Sequence, residues 1–153
     1  GPHAGWSPHA SIEDSRVFID AIACAPHVFA IVEKESATVI GSVGLIPDAF
    51  RKANPSCLML GYALGKPWWG QGYMTEAARE MVRYGFEDLG LDLVTSNCYT
   101  FNDRSRRVIE KCGLAFEGTL SGVEATPDGI MRDCRSYSMT RQAYCAGSGY
   151  RSY

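Results

Sequence analysis

The chain has 153 residues, of which 46% are hydrophobic and 21% are charged. This balance is ordinary for one globular domain and argues against disorder. Fifteen Lys and Arg against seventeen Asp and Glu give a formal net charge of −2, which argues against general binding to nucleic acid. No apolar run approaches the ~20 residues that a membrane-spanning helix needs, so we expect no membrane partner.

The hydrophobic periodicity predicts the order helix, three strands, helix, strand, helix and two strands. The first helix follows Ser11, which suits an N-cap, and ends at Pro26. The later elements in chain order are strands 27–34, 38–46 and 57–64, helix 73–89, strand 92–99, helix 103–112, and strands 115–123 and 130–139. This order predicts a mixed α/β layered fold, with a single domain at residues 1–145 and a flexible tail at 146–153.

The six cysteines do not have the spacing of metal ligands. No C-x-x-C pair occurs, and the three histidines lie upstream of most of the cysteines, so we expect no metal site. Four of the cysteines lie in apolar segments. We therefore expect buried free thiols and a reducing, cytoplasmic location.

The segment 64–77 joins a strand to a helix through a glycine-rich turn. A helix N-terminus leaves about four N–H groups unpaired, and glycine lets a ligand approach the backbone, so this turn predicts a phosphate site. A Walker A loop is excluded because Gln71 and Tyr73 follow the two glycines where lysine is needed. A dinucleotide fold would need a third glycine at Thr75. The remaining alternative is a turn that binds nothing.

Two segments together resemble a known family. The residues GYALGKPWWGQGYMTEA, 61–77, resemble the acetyl-CoA binding motif of the GNAT acetyltransferases in their RimJ/RimL-like branch. The residues NDRSRRVIEKCG, 102–113, resemble the branch's second motif and lie at the matching position after the next strand. The resemblance covers roughly residues 6–142. It implies an acetyl-CoA-dependent N-acetyltransferase with a mostly antiparallel sheet, helices on both faces and two splayed central strands.

The resemblance also implies a binding site for acetyl-CoA. Backbone N–H groups of the turn would hold the pyrophosphate. These belong to Gln71, Gly72, Tyr73, Met74 and Thr75, and Gly70 would allow the turn. The pantetheine arm would enter between the strands at 62–64 and 92–99, with the N–H of Leu64 toward the thioester oxygen. Asn102 would bond the pantetheine amide, and Ser105 would contact the coenzyme sulfur or a nearby pantetheine group.

Positive charge for the 3′-phosphate would come from Arg106 and Arg107, together with Arg104. The resemblance is incomplete at some positions. Trp69 stands where many relatives carry Arg or Gln, Met74 stands where they carry Gly or Ala, and Ile109 replaces a tyrosine that many of them use as general acid. The acid role therefore passes to Ser105 or to water.

The reaction implied is direct attack of a primary amine on the thioester. An α-amine titrates near 8 and a lysine amine near 10.4, so the need for a base depends on the acceptor. Glu124 and Asp133 are the candidate bases, and Trp68 and Tyr62 are candidates for the acceptor pocket. The acceptor could be a protein N-terminus, an antibiotic or a metabolite. The alternative is a non-catalytic module that binds or senses coenzyme A, because Met59 stands where the branch often has Glu.

The family pattern usually begins with a strand and a helix that these residues do not match. Without that strand, the edge of the strand at 27–34 would be open. We expect a second copy of the chain, as in a homodimer, or the C-terminal tail to cover it.

Overall fold

The computed structural model describes residues 9–147. Its helices are α1 Ile12–Ala23, α2 Tyr73–Glu87, α3 Asp103–Lys111 and α4 Arg141–Gly147, with a 3₁₀ turn at Lys66–Trp68. Its strands are β1 Val28–Val32, β2 Val39–Pro47, β3 Cys57–Leu64, β4 Leu93–Tyr99, β5 Ala115–Ala125 and β6 Met131–Thr140. They form one six-stranded sheet in the order β1-β2-β3-β4-β6-β5. The predicted mixed α/β fold is confirmed.

The central pair of strands, β3 and β4, is the only parallel pair in the described sheet. They pair at three positions, the last of which joins Met59 to Thr95. Beyond it β3 continues to pair with β2 as far as Leu64, and β4 continues to pair with β6 as far as Tyr99. The predicted splay is therefore present, and we call the space between the two strands the β3–β4 gap. It opens toward the C-terminal ends of both strands.

The hydrophobic core lies on one face of the sheet, which we call the helix face. Val94 and Cys98 of β4 belong to it and pack with side chains of α2 and α3. Among these, Ala78, Phe86 and Ile109 are almost fully buried. Because side chains alternate along a strand, Thr95, Asn97 and Tyr99 lie on the opposite face, which we call the polar face.

The ends of the chain differ most from the prediction. The N-cap at Ser11 is confirmed as a capping box with Asp14, yet α1 has no buried residue and exposes 76% of Ile12. Helix α4 was not predicted, and it includes residues 146–147 of the predicted tail. Residues 1–8 of the predicted N-terminal loop and 148–153 of the tail lie outside the described residues.

Strand β1 forms one edge of the sheet and pairs with β2. Helix α4 lies against β6, on the other half of the sheet, so residues 141–147 do not cover this edge. A second copy of the chain as its cover stays a prediction.

All six cysteines are free, as predicted. Four of them, Cys57, Cys98, Cys112 and Cys134, are buried. Burial raises the pKa of Cys98 and of Cys112 to about 11, so both remain thiols at neutral pH. Within residues 9–147 no three His, Cys, Asp or Glu side chains are placed to hold a metal ion. In the same range no helix is long and apolar enough to cross a membrane.

A partly buried ion-pair network ties the loop after β2 to the far half of the sheet. The guanidinium of Arg51 lies 3.0 Å from Asp48 and 2.7 Å from Glu117. The side chain of Asp48 is fully buried and also accepts a hydrogen bond from Thr95 at 2.7 Å. Burial alone would raise the pKa of Asp48, but the hydrogen bonds from Thr95, the backbone of Phe50 and Arg51 outweigh it and lower that pKa. The pKa of Glu117 is lowered in the same way, against burial, by bonds from Ser138, Arg51 and Ser136.

We expect Arg51→Met to lower the free energy of unfolding by about 2 kcal/mol at pH 7, because two partly or fully buried carboxylates lose their cation. Carboxyls with lowered pKa values stabilise the fold above their unfolded values of about 3.9 and 4.3, and this stabilisation is lost as the pH falls through the folded values. The difference between the two proteins should therefore shrink below about pH 4. Urea denaturation at pH 7 and at a pH well below 4 measures this difference in the free energy of unfolding.

Arg83→Met is the matched control, since Arg83 pairs with Glu80 and Glu87 on the exposed side of α2. Surface pairs contribute little, so its effect should be much smaller. An equal loss in both variants would contradict a structural role for the Arg51 network.

Candidate functional site

The glycine-rich turn presents its backbone to open space at the start of α2. Gly70 has a φ of 76° and Gly72 has a φ of 91°, in the left-handed region that favours glycine. A Cβ atom built at either position would meet nothing within 4 Å. Gly72 is the N-cap of α2 and has no side chain to cap its N–H groups. These groups are therefore directed toward an open surface that suits an anion.

Glu33, at the end of β1, holds this turn in place. Its carboxylate accepts hydrogen bonds from the hydroxyls of Ser36 and Tyr73, the latter at 2.9 Å. Hydrogen bonds from Ser36, Tyr73 and Trp68 lower the pKa of Glu33. Trp68, predicted for the acceptor pocket, therefore reaches toward the β1–β2 hairpin, and its ring packs on Gly65.

Two further bonds fix the path of the turn itself. The indole N–H of Trp69 donates to the carbonyl oxygen of Leu64 at 2.8 Å. The side-chain amide of Gln71 donates to the carbonyl oxygen of Pro67 at 2.9 Å. Met74 is buried and Thr75 is half-buried in the first turn of α2, so the residues that follow the turn pack against the core.

The backbone of β3 points into the β3–β4 gap at alternate residues. The N–H of Gly65 bonds to Ile40 of β2 at 2.8 Å, whereas the carbonyl oxygen of Leu60 accepts a bond from the Ser96 hydroxyl of β4 at 3.0 Å. Because successive residues face opposite neighbours, Tyr62 and Leu64 direct their N–H groups toward the gap.

Tyr62 and Ser105 lie in direct contact at the mouth of this gap. The sequence analysis did not predict this contact. The phenol oxygen of Tyr62 lies 2.9 Å from the hydroxyl of Ser105 and donates to its carbonyl oxygen at 3.1 Å. Burial raises the pKa of Tyr62, and the bond from Ser105 offsets this only in part. The side chain of Asn102 caps α3 by accepting from the N–H of Ser105 at 3.1 Å. A neutral phenol and a serine hydroxyl thus lie together beside the gap.

The basic residues of α3 divide between two sides of the helix. Arg104 stacks over the ring of Trp69, with 4.9 Å between the guanidinium carbon and the ring centre. Arg106 lies on the other side, in ion pairs with Asp103 at 3.1 Å and Glu110 at 3.0 Å. Arg107 is exposed. Arg104 therefore lies nearest the turn.

An open groove of about 910 Å³ runs along α2 from Gly72 to the end of α3. Its basic lining residues are Arg79, Arg83 and Lys111, and Thr75 lies near its start. The guanidinium of Arg79 donates to the carbonyl oxygen of Lys111 at 3.0 Å. The groove joins the open N-terminus of α2 to a lining of mixed charge, because Glu76 and Glu80 lie along it together with these cations.

The two candidate bases lie on opposite faces of the sheet. Glu124 pairs in register with Arg132, on the polar face, and its carboxylate accepts a bond from the hydroxyl of Tyr99 at 2.7 Å. Burial, then the bond to Glu124, raises the pKa of Tyr99. Asp133 follows on the helix face, where it accepts from the N–H of Gly122 at 2.8 Å.

The family model described as the acetyltransferase (GNAT) domain matches residues 2–115. The chain belongs to the GNAT family. Among curated proteins, the GNAT domain is 42% identical over 85 residues to "FsC-acetyl coenzyme A-N(2)-transacetylase" of Aspergillus fumigatus, covering 55% of this chain and 36% of that protein. It is 29% identical over 118 residues to an uncharacterized N-acetyltransferase, p20, of Bacillus licheniformis, covering 76% of this chain and 63% of that protein. The chain thus spans between one third and two thirds of these two relatives.

Solved structures of the GNAT family share the fold. A GCN5-related N-acetyltransferase from Brucella melitensis superposes with a TM-score of 0.79 and 25% identity, over 92% of this chain and 63% of that one. A GNAT-family acetyltransferase from Bacillus anthracis gives a TM-score of 0.75 at 23% identity, over 86% and 76% of the two chains.

The sequence of this GNAT chain did not lead us to place Glu33, Arg79 or Asn97 at the candidate site. Nothing in the sequence signals the contact of Glu33 with the turn, since it joins residues forty positions apart. Asn97 did carry a signal, because it is an amide within the otherwise strand-like residues of β4.

We expect Glu33→Ala to speed hydrogen exchange of the backbone amides in residues 66–73, because the turn loses the carboxylate that holds Tyr73 and Trp68. Glu35→Ala, an exposed change in the same hairpin, should leave these amides unchanged. Hydrogen exchange followed by mass spectrometry compares the two variants, and equal exchange in both would contradict the anchoring role of Glu33.

Proposed function

We propose that the chain binds acetyl-CoA in the β3–β4 gap and transfers its acetyl group to a primary amine, as an enzyme of the RimJ/RimL-like branch. One observation carries the proposal. The central strands part after Met59 and Thr95, and the gap opens beside the free N-terminus of α2 and the N-terminus of α3. Ligands of α/β sheets bind outside the carboxyl ends of the strands at such positions. The name of the Aspergillus fumigatus relative includes acetyl coenzyme A and N(2). This supports acetyl-CoA as the donor and a nitrogen atom as the acceptor.

The pyrophosphate of the coenzyme would bind the backbone N–H groups of the turn. Gly70 and Gly72 leave room for it, and the dipole of α2 favours its charge. The other N–H donors are Gln71, Tyr73, Met74 and Thr75. Arg104 and Arg107, with Arg79 and Lys111 of the groove, would serve the 3′-phosphate. Arg106 would not contribute to this phosphate site, because its guanidinium is held by Asp103 and Glu110.

The pantetheine arm would pair with the backbone of β3 as a short extra strand, since Tyr62 and Leu64 direct their N–H groups into the gap. Asn102, at the start of α3, would contact its amide. The N–H of Leu64 would bond the thioester oxygen and stabilise the negative charge that develops there.

The amine nitrogen would attack the thioester carbon, forming the C–N bond as the C–S bond breaks. Before it attacks, the amine would lose one proton to Glu124, directly or through water. We favour Glu124 over Asp133 because it lies on the polar face with Asn97 and Tyr99. The nitrogen would lose a second proton as the amide forms, and the sulfur would gain this proton through water and the hydroxyl of Ser105, which lies beside the phenol of Tyr62 and passes on one proton as it receives another.

Transfer is tested by incubating the chain with acetyl-CoA and a panel of amines: spermidine, kanamycin and a pentapeptide with a free N-terminus. The acetylated product should be measured by mass spectrometry, because six free thiols in the protein would obscure release of coenzyme A. An acetylated amine in the panel is the expected result. Coenzyme binding without any product would contradict transfer and favour the alternative, a non-catalytic module that binds coenzyme A.

The binding site is tested by Gly72→Asp, which places a carboxylate against the pyrophosphate. Like charges about 4 Å apart repel by about 1–4 kcal/mol, and a factor of ten in affinity is about 1.4 kcal/mol. We therefore expect acetyl-CoA affinity to fall by about 100-fold in isothermal titration calorimetry.

Gly129→Asp is the matched control. Gly129 has a φ of 78°, and a Cβ atom there also meets nothing within 4 Å, so the backbone strain is similar in a distant turn. Affinity should be unchanged in this variant. An equal loss of acetyl-CoA affinity in both variants, or no loss in either, would contradict the proposal that the turn binds the pyrophosphate.

A further inference from the structure

Three polar side chains of β4 form a row on the polar face. Thr95 lies at one end and donates to Asp48 at 2.7 Å. Tyr99 lies at the other end and donates to Glu124 at 2.7 Å. Asn97 lies between them, so its amide is flanked along the strand by two residues that each hold a carboxylate.

The side-chain carbonyl oxygen of Asn97 is buried and has no hydrogen-bond partner. It is the one buried side-chain oxygen or nitrogen of this kind within residues 9–147. The amide nitrogen of the same side chain is directed at the sulfur of Met59 at 3.4 Å. Ser136 lies directly across from Asn97 on β6, but its hydroxyl donates to Glu117 at 2.9 Å.

An unpaired buried carbonyl lowers the free energy of unfolding, because it loses its hydrogen bonds to water and gains none in the folded protein. Such groups are rare in native structures. The position of Asn97 suggests what pairs with it. Met59 and Thr95 are the last residues at which β3 and β4 pair, and Asn97 is the next residue of β4 on the same face. Its carbonyl therefore lies at the closed end of the β3–β4 gap.

The direction of approach follows from the packing. Side chains of α2 and α3 fill the helix face behind the gap, so an acceptor would reach a thioester in the gap from the polar face. A carbonyl oxygen at this point can only accept a hydrogen bond. It is therefore suited to a group that carries several N–H donors. The carboxylate of Glu124, which Tyr99 holds on the same face of the sheet, favours a positively charged group.

We propose that Asn97 binds the acceptor, its side-chain carbonyl accepting a hydrogen bond from the amine nitrogen that is to be acetylated. This inference rests on the proposed function, and it names the acceptor class as an unhindered primary amine that arrives as an ammonium ion. Asn97 thereby orients the nitrogen against the thioester, while Glu124 lies farther along the same face to take the proton.

The test is Asn97→Leu, which keeps a similar volume and removes the carbonyl. Amine binding is measured by calorimetry with spermidine and with the pentapeptide, in the presence of coenzyme A, and KM for the amine is measured where transfer occurs. We expect Kd or KM for the amine to rise about tenfold or more, as for loss of a hydrogen bond to a charged group. The Kd for coenzyme A should stay within about twofold.

The thermal midpoint without ligands provides a second readout. Asn97→Leu removes an unsatisfied buried group, so the midpoint should stay equal or rise. Ser136→Ala is the matched control on the neighbouring strand, because its hydroxyl is already paired with Glu117. This control should lower the midpoint and leave amine binding unchanged.

Each outcome decides between two accounts. Unchanged amine binding in Asn97→Leu would overturn the inference, and a lower midpoint beside it would show that Asn97 is structural. Failure of the wild-type chain to bind either amine would also overturn it. Amine binding that depends on Asn97 without any acetylated product would support the inference and contradict only the proposed transfer.

Discussion

The parting of β3 and β4 after a single short stretch of parallel pairing is the constraint on which the rest of the site depends. Each strand remains paired on its outer side, β3 with β2 and β4 with β6, so the backbone groups that would have bonded across the gap are left facing it. Buried backbone groups are almost always paired. The hydroxyl of Ser96 satisfies the carbonyl oxygen of Leu60, and an extended ligand is the natural partner for the groups beyond.

The surrounding elements keep this gap in a fixed shape. The hydroxyls of Tyr62 and Ser105 join β3 to the first turn of α3, and Glu33 holds the glycine-rich turn at the start of α2. The Arg51 network binds the opposite end of the sheet. Although the net charge is −2, Arg104 stacks on Trp69 of the turn. Arg79 and Lys111 line the groove that begins at the N-terminus of α2, together with two glutamates.

Local patterns in the sequence were sufficient to predict most of the fold. The glycines at positions 70, 72, 90 and 113 have positive φ. Each lies in a turn next to a helix that the hydrophobic periodicity predicts. Helix α4 was missed because its few apolar residues follow directly on β6 without an intervening turn. It is held by tertiary packing, with Tyr144 stacked on Phe86 at 4.7 Å, which a local pattern does not reveal.

The site was predictable only in part, for a similar reason. The turn and the cap at Asn102 are local features. The stacking of Arg104 on Trp69 is a contact between distant residues. The placement of Glu124 and Asp133 on opposite faces and the unpaired carbonyl of Asn97 depend on strand register. A shift of one residue in register would reverse each of these faces.

A crystal structure of the chain with coenzyme A bound is the most direct measurement of the central claim. The account predicts the pyrophosphate against the turn at residues 70–75 and the pantetheine arm between β3 and β4, bonded to the backbone of Tyr62 and Leu64. A complex in which β3 and β4 pair beyond Met59 and Thr95, or in which the coenzyme lies elsewhere, would contradict it.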